Sequence, residues 1–186
     1  MSSQQNRDKS SIALRLAVAA SLLFAAAASQ AAEPVARPVL TGYSDTVSTE
    51  ALQSGEYKSM VAEVARFKDA PTVSPTAYST NLCVGFIASR QMDDAQKACD
   101  AAVRAAKRER TQLSSWMVTS RQAYNEQIAI AYANRAVMYY LANKPEKAAQ
   151  DLTKAETLAP SAGYVTRNLA AMTTNNTVAQ ATTSAK

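Results

Sequence analysis

The 186-residue chain contains no histidine. That removes imidazole as a general base, as the activator of a nucleophile and as a metal ligand. Only four glycines are present, and they form no phosphate-cradling cluster. The two cysteines, Cys83 and Cys99, are not spaced as a redox pair, and no metal-ligand cluster accompanies them. The carboxylates fall at expected helix starts or on expected exposed faces, which argues for solvation rather than paired acid–base work. Catalysis is therefore not expected, and no cofactor or metal is implied. Aromatic residues are few and alanines many, a balance that suits a thin, stacked core better than a thick globular one.

Long hydrophobic runs are scarce as well. The segment Leu16–Ala28 is apolar or small throughout, but its 13 residues are too few to span a bilayer. Preceded by Arg7, Lys9 and Arg15 and followed by Ser29-Gln30-Ala31, it reads as a secretory signal peptide of residues 1–31, with cleavage expected after Ala31. No cysteine follows the run, so a lipoprotein anchor is not expected; the predicted location is a bacterial periplasm or the exterior. Three cations and one anion leave with residues 1–31, so the formal charge of +5 becomes +3. That excess is too small to imply nucleic acid. The remaining ~155 residues suffice for one domain.

Residues 32–47, with two prolines and a glycine in Glu33–Asp45, carry no period and read as an extended arm. Helical character begins near Ser48. Its clearest expression is Ala129–Pro160, where Tyr132, Arg135, Ala136 and Tyr139 share one helix face. After Asn143 and Pro145 the pattern restarts with Ala148, Leu152, Ala155 and Leu158, and Pro160 marks its end. This arrangement resembles one unit of the tetratricopeptide repeat. Tyr132, Ala136, Tyr139, Ala148, Leu152, Ala155 and Pro160 fill the landmarks, and Arg135 stands where leucine is usual. A second match covers Ala77–Ala106, through Asn81, Leu82, Cys83, Phe86, Ala95, Cys99 and Ala102. A degenerate first unit has its turn at Ser54–Tyr57, core positions Met60, Val64 and Phe67, and Pro71 at its close.

The resemblance implies an all-α, tetratricopeptide-like helical hairpin solenoid of about two and a half to three repeats over residues 48–172. Asp93 or Asp94 is expected to cap the second helix of the second unit. Arg104, Lys107, Arg108 and Arg110 gather at its other end, read as a solvated helix terminus. In the repeat register Cys83 and Cys99 occupy facing close-approach positions. A structural disulfide is the favoured reading, and two small buried thiols the alternative. Ala95 and Ala148 hold equivalent positions 53 residues apart, which is 19 more than one period. Glu109–Ile128 contains no helix breaker, so an elongated hairpin is expected, with Trp116 and Met117 near its tip either packing back onto the neighbouring helix, the favoured reading, or offering a candidate contact for a partner or a second copy. Ala162–Met172 is expected to form a capping helix, and residues 173–186 a disordered tail.

Repeats of this family bind peptides or protein segments along their first helices. Carried over, the binding positions are Thr80, Val84 and Ile87, then Ala133, Val137 and Tyr140, then Tyr164 and Arg167. Asn81 and Asn134 match one position of the family's carboxylate clamp, but Thr80/Val84 and Ala133/Val137 replace its Lys/Asn pairing. The expected activity is that of a non-catalytic scaffold or adaptor taking a protein or peptide partner, as a helix or extended apolar segment. Alternatives left open are a groove filled by the protein's own arm, and self-association as a structural envelope protein.

Overall fold

The structure, a computed structural model, describes residues 37–43, 51, 54–66, 74–112 and 118–183. Six helices make up most of them: α1 (Tyr57–Arg66), α2 (Pro75–Ala88), α3 (Met92–Thr111), α4 (Val118–Leu141), α5 (Pro145–Leu158) and α6 (Gly163–Thr183). No strand occurs among the described residues, so the chain is all-α. The expected signal segment, the first half-helix near Thr49–Gln53, Phe67, Pro71 and the hairpin tip with Trp116 and Met117 lie outside or largely outside the described residues.

Helix boundaries follow local chemistry. Ser74 caps α2, its Oγ accepting from the Thr76 and Ala77 amides at 3.2 and 3.3 Å, with Pro75 in the first turn, where its missing N–H costs nothing. Glu109, from the far end of α3, accepts from the Thr76 amide at 3.1 Å and from the Ser74 hydroxyl at 3.0 Å. Pro145 opens α5 in the same way. The turns ending α2 and α4 share one construction. Arg90 (φ 60°) and Asn143 (φ 57°) adopt the left-handed conformation. Arg90 N–H then donates to Ile87 O and Gln91 N–H to Phe86 O; Asn143 and Lys144 repeat the pattern on Tyr140 O and Tyr139 O. These paired bonds satisfy carbonyls that the helix ends would otherwise orphan.

Packing is dominated by small residues. Each helix packs on its sequence neighbour, and α2–α4 and α4–α6 also touch. Ala95, Ala102 and Ala106 of α3, Ala129, Ala133 and Ala136 of α4, and Ala148 and Ala155 of α5 are almost wholly buried, which lets the helix backbones approach closely. At Gly85 an added Cβ would lie 2.6 Å from Val61 Cγ2 and 2.7 Å from Met60 Cε, so α1 crosses α2 only because no side chain intervenes. Cys83 and Cys99 form a disulfide joining α2 to α3. Arg135, where the sequence departs from leucine, links three helices: Nε and Nη2 hold Asp151 of α5 at 2.7 and 3.1 Å, and Nη1 holds Asp100 of α3 at 2.8 Å. Burial alone would lower the Arg135 pKa, but the hydrogen bonds and charge of Asp151, with Asp100 beside them, offset it and leave a net rise.

Several expectations need correction. Asp151 is 2 % exposed, so the carboxylates are not all solvated; it is held by Arg135 and Lys154 rather than by water. Asp93 and Asp94 lie in the first turn of α3 but make no capping bond, and Asp94 pairs with Lys97 at 3.2 Å instead. Helix α6 runs to Thr183, well past Met172, so the expected disordered tail is helical as far as Thr183. The segment lacks Gly and Pro, and Thr173 and Thr174 donate from their hydroxyls to the Leu169 and Ala170 carbonyls four residues back. The expected hairpin elongation is present: α3 has 20 residues and α4 has 24, against 14 each in α2 and α5.

A cross-link closing a loop of this size contributes on the order of 3 kcal/mol by restricting the unfolded chain. Reduction, or Cys83→Ser with Cys99→Ser, is expected to lower the unfolding free energy by about that amount. Urea denaturation measures it; an unchanged midpoint would refute the assignment of a structural role.

Candidate functional site

The described arm residues, 37–43, lie across the first helices in extended form, held by three asparagines. Asn168 of α6 accepts from the Val39 amide at 2.6 Å and donates to the Val39 carbonyl at 3.0 Å. Asn134 of α4 does the same with Thr41, at 2.9 and 2.7 Å. Asn81 of α2 pairs with Tyr43, at 2.8 and 3.1 Å. The arm thus runs opposite to the order of the helices it crosses.

The chemistry explains both the residue type and the spacing. In an extended chain the N–H and C=O of one residue point to the same side, and alternate residues share that side. Only a carboxamide offers one acceptor and one donor in the matching geometry; a carboxylate would lack the donor. The orientation of each amide is fixed by this reciprocity, since the arm N–H needs an oxygen and the arm C=O needs an N–H. Pro38, which has no N–H, lies just before the first engaged position, Val39, and is tolerated there. All three asparagines are at most 1 % exposed. Buried without partners, each amide would cost several kcal/mol, on the order of a lost pair of hydrogen bonds. Leu40 adds an apolar contact, packing on the clusters that contain Val84, Ile87 and Val137.

The sequence-predicted binding positions divide accordingly. Thr80, Val84, Ile87, Ala133 and Val137 are buried, while Tyr140 and Tyr164 are half-buried. Arg167 is exposed, and its Nε donates to Gly163 O of its own helix rather than to the arm. The residues that grip the arm backbone are the next ones along: Asn81 follows Thr80, Asn134 follows Ala133, and Asn168 follows Arg167. Asn134 and Asn168 are 34 residues apart. That spacing is visible in the sequence, where Asn81 and Asn134 match one position of the carboxylate clamp, Asn81 also fills a helix landmark, and Asn168 carries no signal of its own.

Tyrosines and acids gather at one end of this site. Burial, followed by the charges of Glu109, the Tyr164 phenol and Glu126, raises the Tyr43 phenol well above its usual value. Burial first and Glu126 second push Tyr164 up to about 12. The Tyr164 hydroxyl finds no hydrogen-bond partner among the described residues, and neither does that of Thr80. Among those residues no cluster of metal-ligating side chains occurs.

Two predictions follow from the arm's attachment. Asn134→Ala removes two hydrogen bonds worth roughly 0.5–1.5 kcal/mol each. Amide exchange at Val39, Thr41 and Tyr43 is expected to accelerate together, by on the order of 10- to 100-fold; acceleration confined to Thr41 would mean the arm is held by something else. The second concerns alkali. Because the folded Tyr164 phenol ionises only near 12 while an unfolded one ionises near 10.0, the stability tied to its neutral form is intact below pH 10 and is lost as pH rises toward 12. Tyr164→Phe should therefore reduce the loss of thermal stability between pH 10 and 12; an unaltered profile would contradict this. Comparison of the chain with protein-family models, with curated proteins and with solved structures found no match in any of the three.

Proposed function

We propose that the protein is a non-catalytic interaction module built on a tetratricopeptide-like stack, exported from the cell, which takes an extended polypeptide segment along α2, α4 and α6. The observation that carries this reading is the set of three buried asparagines, each paired with both backbone groups of one residue in an extended segment. Such pairing reads the peptide backbone, which every polypeptide has, and leaves side-chain preference to the apolar surface under Leu40. Residues 37–43 are then the built-in occupant, and a partner segment competes with them for the same donors and acceptors. The cysteine pair is oxidised, and no described helix is long and apolar enough to cross a membrane; both are compatible with an extracellular or periplasmic setting.

The same geometry accommodates the arm of a second copy, because the asparagines cannot distinguish whose backbone they hold. Arm exchange is the route by which this module would self-associate.

A variant lacking residues 33–43 tests the proposal, with folding checked by circular dichroism. A synthetic peptide covering residues 36–45 is expected to bind it saturably in calorimetry. Asn134→Ala in the variant, or proline in place of Thr41 in the peptide, should weaken binding by on the order of 10- to 100-fold. Tyr140→Asp should abolish capture of partner segments from a cell-envelope extract. A folded armless variant that binds no peptide would sink the reading, and a monomer at all concentrations in light scattering would remove arm exchange.

A further inference from the structure

A second feature lies on the other side of α4. Tyr132 and Asn134 are two positions apart, about 200° around the helix, so the face carrying Tyr132 is turned away from the arm. There α3, α4 and α5 enclose an open concavity of about 610 Å3. The two longest of these helices, α3 and α4, run over 20 and 24 residues, whereas α5 ends at Leu158 after 14.

The lining separates by chemistry. The floor is apolar, made by Ile128, Leu158 and the ring of Tyr132. Around it stand four cations, Lys107 and Arg110 from α3, Arg121 from α4 and Lys154 from α5, and no described lining residue is acidic. Lys107 Nζ and Lys154 Nζ each lie 5.3 Å from the centroid of the Tyr132 ring, which keeps two ammonium groups over the floor. Lys154 shares Asp151 with Arg135, whereas Lys107, Arg110 and Arg121 form no ion pair among the described residues. Of the acids on the same two helices, Glu109 is held at the start of α2, Asp100 by Arg135 and Asp94 by Lys97, while the charge of Glu126 acts on Tyr43 and Tyr164.

We infer that this concavity binds a small anionic amphiphile, a carboxylate, sulfonate or phosphate head carried on one apolar chain or ring system. Its volume falls in the range of small-molecule sites, which are typically about 300–1,000 Å3. The two halves of the lining each need a match. A bare anion would leave the floor in water, and an uncharged apolar molecule would leave Lys107, Arg110 and Arg121 without a counter-charge while screening them from solvent. An anionic head at the rim with its body on Tyr132 and Leu158 answers both. The inference rests on the lining alone and is independent of what occupies the asparagine-lined face.

Fluorescence titration of the intact protein with anilinonaphthalene sulfonate, itself an anionic amphiphile, tests this. One saturable site is expected, from which dodecanoate displaces the probe while dodecyltrimethylammonium and inorganic phosphate at equal concentration do not. Arg110→Glu with Arg121→Glu, both exposed and without ion-pair partners, should weaken binding by on the order of tenfold, and more at low salt. Lys97→Glu, outside the concavity, should leave it unchanged. Failure to saturate, equal displacement by the cationic amphiphile or by phosphate, or undiminished binding by the folded double variant would each overturn the inference. Should the double variant unfold, Leu158→Asp replaces it, with the same expected loss and the same contrary result.

Discussion

Three buried carboxamides make six hydrogen bonds to the backbone of one extended segment, and much of the molecule's organisation depends on them. Asparagine is a poor choice for a helix interior by propensity and a costly one for a buried position without partners. Here the cost is offset on both sides at once. The helices gain partners for Asn81, Asn134 and Asn168, and the arm gains partners for backbone groups that an isolated extended strand would leave to water. Neither half is satisfied alone, which couples residues 37–43 to helices that lie up to 129 positions away in sequence.

The remaining long-range links work differently. The Cys83–Cys99 disulfide acts between adjacent helices and chiefly restricts the unfolded chain. The Arg135 cluster ties α3, α4 and α5 through charge, with Tyr132 and Tyr139 rings 5.4 and 5.7 Å from the guanidinium. Removing Arg135 would leave the buried Asp151 carboxylate with Lys154 as its remaining cation, a half-broken buried pair of the kind that is more damaging than never having had one. These charged and covalent links sit where the helices pack through alanine, which contributes close approach but little apolar area per residue. The thin core and the polar ties therefore belong together.

Much of the helical pattern was legible. The i, i+3, i+4 stripe through Tyr132, Ala136 and Tyr139, the proline at 145 and the alanine pattern of α3 and α5 place the helices, because helix formation and termination are governed by neighbours within about four residues. The 19-residue excess predicted lengthened helices for the same reason. Errors arose where side chains choose between local and distant partners. Asp151 looks like any surface acid of a polar helix until Arg135 is brought beside it. Thr173 and Thr174 look like tail residues until their hydroxyls are seen to bond back along α6. The residues that hold the arm backbone, Asn81, Asn134 and Asn168, each stand directly after an expected binding position, Thr80, Ala133 or Arg167.

The amino-acid sequence by itself determined the all-α class, the helix order, the oxidisable cysteine pair and the absence of histidine chemistry, since composition and short-range periodicity are properties of the chain. Only the tertiary structure decided what lies along the first helices, which carboxylate is buried, and that Lys107, Arg110, Arg121 and Lys154 surround one apolar floor. Those facts depend on which residues of separate helices meet. Asn134 reaches Thr41 across 93 residues, and the identity of either residue says nothing of the other until the helices are packed.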